Sequence, residues 1–244
     1  RRVNFPMQEL LGILAFAFLL GIKHAIEPDH VVAVSTIASV SKRLWRAALT
    51  GVFWGIGHTA TLFAAGFALY FVKEKISENS GWAMSLEMLV GVMLVYLGVS
   101  ALITFGRDIH AHKHRHGDES HSHFHFRCER GAHEHRHRAS YGKSMLIGFV
   151  HGLAGSAAMA LLAMSQAKTI TGMLAYILVF GAGTVAGMLL CTTVVGIPFV
   201  LTAHRKRVNG WLTAATGAIS AVYGLYYIYD IGVNEGLFRL WQIG

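Results

Sequence analysis

Charge is scarce in this chain. Asp, Glu, Lys and Arg make up 14% of its 244 residues, against 54% hydrophobic, and the mean hydropathy is +0.47. Soluble domains carry about 25% charged residues, and the long apolar runs described below exclude one here. Cysteine is nearly absent: Cys128 and Cys191 are too few for a disulfide framework. No Walker nucleotide motif is present, which removes ATP as a direct energy source. A G-x-S-x-G elbow is missing too, so an intramembrane hydrolase built on Ser156 and a histidine has little support, and the chain is not read as an enzyme. The evenly spaced short alternating segments of an outer-membrane barrel do not occur. The first apolar run enters a polar cluster and lacks a small-residue cleavage pattern, so it is not read as a signal peptide.

What is present is a series of apolar runs: Leu10–Ile22, Val52–Val72, Trp82–Phe105, Met145–Ala167, Met173–Thr202 and Trp211–Ile231. Most approach the ~20 residues that cross a bilayer as a helix. The expected architecture is all-α, a polytopic membrane bundle of six spans. The 27 glycines suit close helix approach in lipid. The net charge of +8 would suggest nucleic acid in a soluble protein; here topology explains it better, and no nucleic-acid partner is expected. Fourteen basic residues fall in the loops after the first, third and fifth runs and six on the opposite side. The positive-inside rule puts the first group in the cytoplasm and both ends of the chain outside.

The two halves resemble each other. "GIKHAIEPDHVVAVSTIAS" from Gly21 aligns with "GFVHGLAGSAAMALLAMSQ" from Gly148, matching His24 with His151. "WGIGHTA" from Trp54 aligns with "FGAGTVA" from Phe180, and Gly91 and Gly98 align with Gly217 and Gly224. The offsets are 127, 126 and 126. Three spans per half is an odd number, so the second half inserts upside down. Inverted repeats with interrupted helices are a recurring transporter plan, with the site at the repeat interface. The expected organisation is a first three-span repeat over 1–105, a histidine-rich cytoplasmic loop over 106–142 and a second three-span repeat over 143–244.

The segment His24-Ala25-Ile26-Glu27-Pro28-Asp29-His30 places costly polar groups beside apolar runs. On an unbroken helix, five residues turn ~140° and six ~240°, so His24, Asp29 and His30 would not share a face. Pro28 would also clash with the carbonyl of His24. A break near Glu27 resolves both problems. One helix ends near Ala25, and a second starts with Pro28 and Asp29 in its first turn, where proline is tolerated and the dipole favours an anion. The three side chains then converge. Two imidazoles and a carboxylate suit a divalent transition metal, and ionisable residues inside a span are functional candidates.

His58 in "WGIGHTAT" is the candidate fourth ligand, flanked by Gly55 and Gly57. Glu27, Thr59, His151 and Ser156 are further pathway candidates. Ala154, Gly155 and Ser156 stand where the first half has its acidic cluster, so His151 is expected to form a wall of the path. Ten of the fifteen histidines lie in one polar stretch, at His110, His112, His114, His116, His121, His123, His125, His133, His135 and His137. Alternating histidines bind divalent metals collectively, and a stretch so poor in aliphatic residues is expected to be loosely ordered.

"HAIEPDH" has the H-x4-D-H form, and "WGIGHTAT" the Gly-His-hydroxyl form, of the nickel/cobalt transporter superfamily. The chain resembles that family over its whole length, and in its compact size the branch associated with urease operons. The resemblance implies a multi-pass protein of the cell membrane, metal contacts from His24, Asp29, His30 and His58, nickel or cobalt as transported substrate with no resident cofactor, and cytoplasmic metallochaperones such as urease accessory proteins as partners. Where the family's high-affinity members carry Asp-Thr and Glu in a later motif, this chain reads "GLAGSAAM", without a carboxylate. Uptake is the expected direction. The alternatives are a proton-coupled nickel/cobalt exporter, which the histidine-rich loop also resembles, and an intramembrane metal sensor.

Overall fold

The structure is a computed structural model that describes residues 7–39, 41, 43–72, 81–116, 119–126, 141–154 and 169–243. Its helices are α1 (Met7–Ala25), α2 (Pro28–Ala38), α3 (Leu44–Val72), α4 (Gly81–Asp108), α5 (Tyr141–Ala154), α6 (Ile170–Leu201), α7 (Lys206–Tyr229) and a short α8 (Leu237–Ile243). A π-helical turn, Asp230–Asn234, extends α7.

The break expected near Glu27 is where the sequence places it. Glu27 is extended, at φ −63° and ψ 149°, and α2 starts on Pro28. The two helices meet at a bend of 58°. Proline has no N–H to lose in a first turn and cannot continue the helix before it, so the break is written into the chain.

The bundle is helical and apolar on its outside. Leu190, Val194 and Leu201 of α6 and Trp211 and Val222 of α7 are exposed, as a lipid environment requires. Three helices are long and apolar enough to cross a membrane, α3, α4 and α6, and a fourth crossing results if α1 and α2 count as one broken span. This is fewer than the six crossings read from the sequence. The expected span Met145–Ala167 is described only to Ala154. The expected span Trp211–Ile231 is helical, but Ser, Thr and Tyr residues between its apolar positions lower its hydropathy.

Helix α1 packs along α6, α3 along both α5 and α6, and α4 along α7. Glycine sets the closest approaches. A Cβ at Gly21 would strike the backbone of Phe180, and one at Gly148 would strike the backbone of Trp54. One at Gly57 would meet the Met145 carbonyl, and one at Gly183 the Phe18 carbonyl. Gly91 lies against Gly224, and Gly98 against Gly217. Each pair becomes the other when the two halves are exchanged at the offsets of 126 and 127 seen in the sequence. Ser220 adds a polar tie between α7 and α4, donating its hydroxyl to the Leu94 carbonyl at 2.8 Å.

The histidine-rich stretch departs from expectation. Strands β1 (Ile109–His116) and β2 (Glu119–Phe126) pair antiparallel, with two residues between them. The register opposes His110 to His125, His112 to His123 and His114 to His121. The physical reason is the spacing: histidine at every second position matches the period of a strand. His133, His135 and His137 lie outside the described residues.

Candidate metal centre

Four helices bring histidines to one place. His24 ends α1, His30 is in the first turn of α2, His58 is midway along α3, and His151 is in the last turn of α5. His30, His58 and His151 are buried, with 1%, 1% and 3% of their surface exposed. Burying a polar ring is costly unless it is partnered, so the partners decide what the cluster is for.

The carboxylates fix the rings. His24 donates from Nδ1 to Glu27 Oε2 at 2.8 Å, across the helix break. That leaves His24 Nε2 directed at His58 Nε2, 3.1 Å away. Asp29 accepts three hydrogen bonds. Its Oδ1 takes the His30 backbone N–H at 2.9 Å and His30 Nδ1–H at 3.0 Å, and its Oδ2 takes His151 Nε2–H at 2.9 Å. A carboxylate behind an imidazole sets its tautomer and aims its second nitrogen, the arrangement usual behind metal-bound histidines.

The second nitrogens are unfilled. Among the described residues, His30 Nε2, His58 Nδ1 and His151 Nδ1 are buried and find no hydrogen-bond partner. Buried polar atoms without partners are rare in folded proteins and call for an explanation such as an absent ion. A metal supplies one for His30 Nε2, whose lone pair is left open once Nδ1–H is held by Asp29. The 3.1 Å between His24 Nε2 and His58 Nε2 closes a ligand angle of about 100° at metal–nitrogen bonds of about 2.0–2.1 Å.

Two three-residue groups present ligand atoms within 4.8 Å of one another: His24, His30 and His58, and then Asp29, His30 and His151. They share His30. Aromatic rings wall the cluster. Trp54 stacks over His30 with centroids 6.3 Å apart, and Phe180 lies 5.5 Å from His24. Glu27 and Asp29 stand at the more open side, with side chains 42% and 18% exposed.

The sequence candidates fall as follows. His24 bonds to His58 and Asp29 to His30, the His30 ring lies against those of His24 and His58 at 4.6 and 5.3 Å between centroids, and Glu27 joins them through His24. His151 also lies in the cluster, and its acidic partner is Asp29 from the other half of the chain. Thr59 faces elsewhere: its hydroxyl donates to the Gly55 carbonyl at 2.7 Å, and its side chain packs where a Cβ on Gly181 would sit. Ser156 lies outside the described residues. Sequence reasoning passed over Trp54 as part of the site, although it stands four residues before His58, one helical turn away.

Comparison with known proteins gives a consistent picture. Residues 10–214 match the model of a family described as NicO, high-affinity nickel-transport protein. Among curated proteins, the chain is similar to a urease accessory protein UreH of Bacillus sp. (strain TB-90). The two are 51% identical over 233 residues, covering 96% of this chain and 97% of that protein. No solved structure matches the chain.

Proposed function

The chain belongs to the NicO family of nickel-transport proteins, and on that premise we propose that it is a cell-membrane permease that takes up nickel or cobalt through the histidine cluster at the broken first span. The observation that carries the assignment is the trio His24, His30 and His58, gathered at a helix break, with buried ring nitrogens left without partners. Discontinuous helices at a repeat interface are where transporters hold their substrates. The exchange of glycine contacts between the halves supports a 3+3 inverted repeat with six crossings.

Nickel and cobalt suit imidazole with a carboxylate, and no resident cofactor is required. The membrane potential supplies the drive. At 100 mV a dication gains about 4.6 kcal/mol on moving inward, twice the ~2.3 kcal/mol of a single charge. That concentrates metal by roughly three orders of magnitude with no coupled ion. Metal delivered this way serves cytoplasmic metallochaperones such as urease accessory proteins.

The deciding experiment is flux into proteoliposomes, with nickel, cobalt and zinc compared. An inside-negative voltage alone is expected to drive nickel or cobalt uptake. Flux that needs a pH gradient instead would make the protein a proton-coupled exporter, and binding without flux would make it a sensor.

The basic residues after the first, third and fifth apolar runs support a cytoplasmic histidine loop, which on this reading gathers arriving metal. Cys128 lies between His125 and His133 and reports both properties. A membrane-impermeant thiol reagent is expected to label it only in opened cells, and added nickel should slow that labelling. Labelling in intact cells would reverse the orientation; indifference to nickel would remove the gathering role.

A further inference from the structure

The two metal-binding groups are not equivalent. The first, His24, His30 and His58, is made of three imidazoles from the first half of the chain. The second, Asp29, His30 and His151, contains a carboxylate and draws one ligand from the second half. His30 belongs to both. Its ring centroid is 4.6 Å from that of His24, 5.3 Å from His58 and 4.0 Å from His151. His24 and His58 share a group with His30, and Asp29 and His151 share another with it; among the described residues no group holds His24 or His58 together with His151. The groups share the His30 ring, whose Nδ1 is held by Asp29 and whose Nε2 alone is open to an ion, so they serve one ion at a time.

The geometry points to two successive positions for one transported ion, passed across His30 between the all-imidazole position and the Asp29–His151 position, so that the second half of the chain completes the path through His151. The inference rests on the metal-transport reading and adds a step to it. Glu27 stands beside His24 at the first position and Asp29 belongs to the second, so a carboxylate lies at each. Asp29 Oδ2 accepts from His151 Nε2–H; an arriving ion takes the place of that hydrogen bond, and the Nε2 proton moves to the ring's Nδ1, which has no partner. A path of several sites, each of modest affinity, lets an ion leave as well as arrive.

Cobalt(II) tests this, because its visible absorption reports its ligands. Spectra are taken as differences from His30→Ala, which cancels cobalt held by the loop histidines. The wild-type difference should correspond to one cobalt. His58→Ala and His151→Ala should each still bind one cobalt, with spectra that differ from each other, and each should transport at least about tenfold more slowly. His151→Gln separates a ligand from a prop: its amide can still donate to Asp29 but lacks the imidazole lone pair. It should be as slow as His151→Ala, and it serves where the alanine variant does not fold. Wild-type uptake in either His151 variant would overturn the second position. Identical cobalt spectra in His58→Ala and His151→Ala would overturn the division into two. Wild-type binding and uptake in His30→Ala would instead overturn the metal-site reading beneath both.

Discussion

Alanine at position 30 is expected to abolish nickel and cobalt uptake, by at least about 100-fold, while the protein still inserts and elutes as a single species. Losing a residue that only orients a ligand costs roughly 10–100-fold in metal affinity or activity, and His30 is placed to do more. It is 1% exposed, belongs to both candidate groups, and is held by Asp29 through its backbone N–H and its Nδ1. The substitution removes the shared ring and leaves a gap under Trp54, which stacks on it. His24→Ala and Asp29→Asn should also be severe. Asp29→Asn removes the charge that offsets a dication in low dielectric and weakens the hold on His30 and His151 together. The measurement is the initial uptake rate in proteoliposomes, normalised to folded protein by size exclusion. Wild-type rates in the His30 and Asp29 variants would take this cluster out of the transport path.

The break in the first span was legible because its causes are local. Pro28 forbids one helix and permits another, and that alone brings His24 and His30 together. His58 was legible from its glycine-flanked place in an apolar run. The partner of His151 was not. Asp29 lies 122 residues away, and nothing near His151 in sequence announces it, since the motif there has lost its own carboxylate. The repeat contained the information in another form. Aligning His24 with His151 implies that the ends of α1 and α5 face each other if the halves interlock, which a reading along one half does not use. The number of crossings was harder to read. Ser, Thr and Tyr in α7 are acceptable in a membrane helix packed against a neighbour, yet they lower the hydropathy on which a count depends. The hairpin of the histidine stretch was missed because composition was given more weight than the period-two spacing, visible in "HAHKHRH".

Leucine in place of Gly148 is expected to prevent stable assembly, and leucine in place of Gly21 should do the same to a similar degree. A Cβ on Gly148 would meet the carbonyl of Trp54, and one on Gly21 the carbonyl of Phe180. Backbone cannot yield as a side-chain tip can, so the helices must separate. Overpacking a tight core costs typically about 1–3 kcal/mol, and a branched side chain driven into a helix backbone falls at or beyond the upper end. Separation of α5 from α3 would also carry His151 away from Asp29 and disturb Trp54 over His30. Gly12→Leu is the control. Gly12 lies on the exposed side of α1, and a Cβ there meets nothing within 4 Å. Leucine is also the better helix former by roughly 0.8 kcal/mol, so this variant should be neutral or slightly stabilising. The readout is the thermal midpoint and the monodisperse fraction in detergent. Wild-type stability of Gly148→Leu would show that α3 and α5 do not approach this closely. Loss in Gly148→Leu with none in Gly21→Leu would break the equivalence of the halves, because each contact is the image of the other at the offsets of 126 and 127.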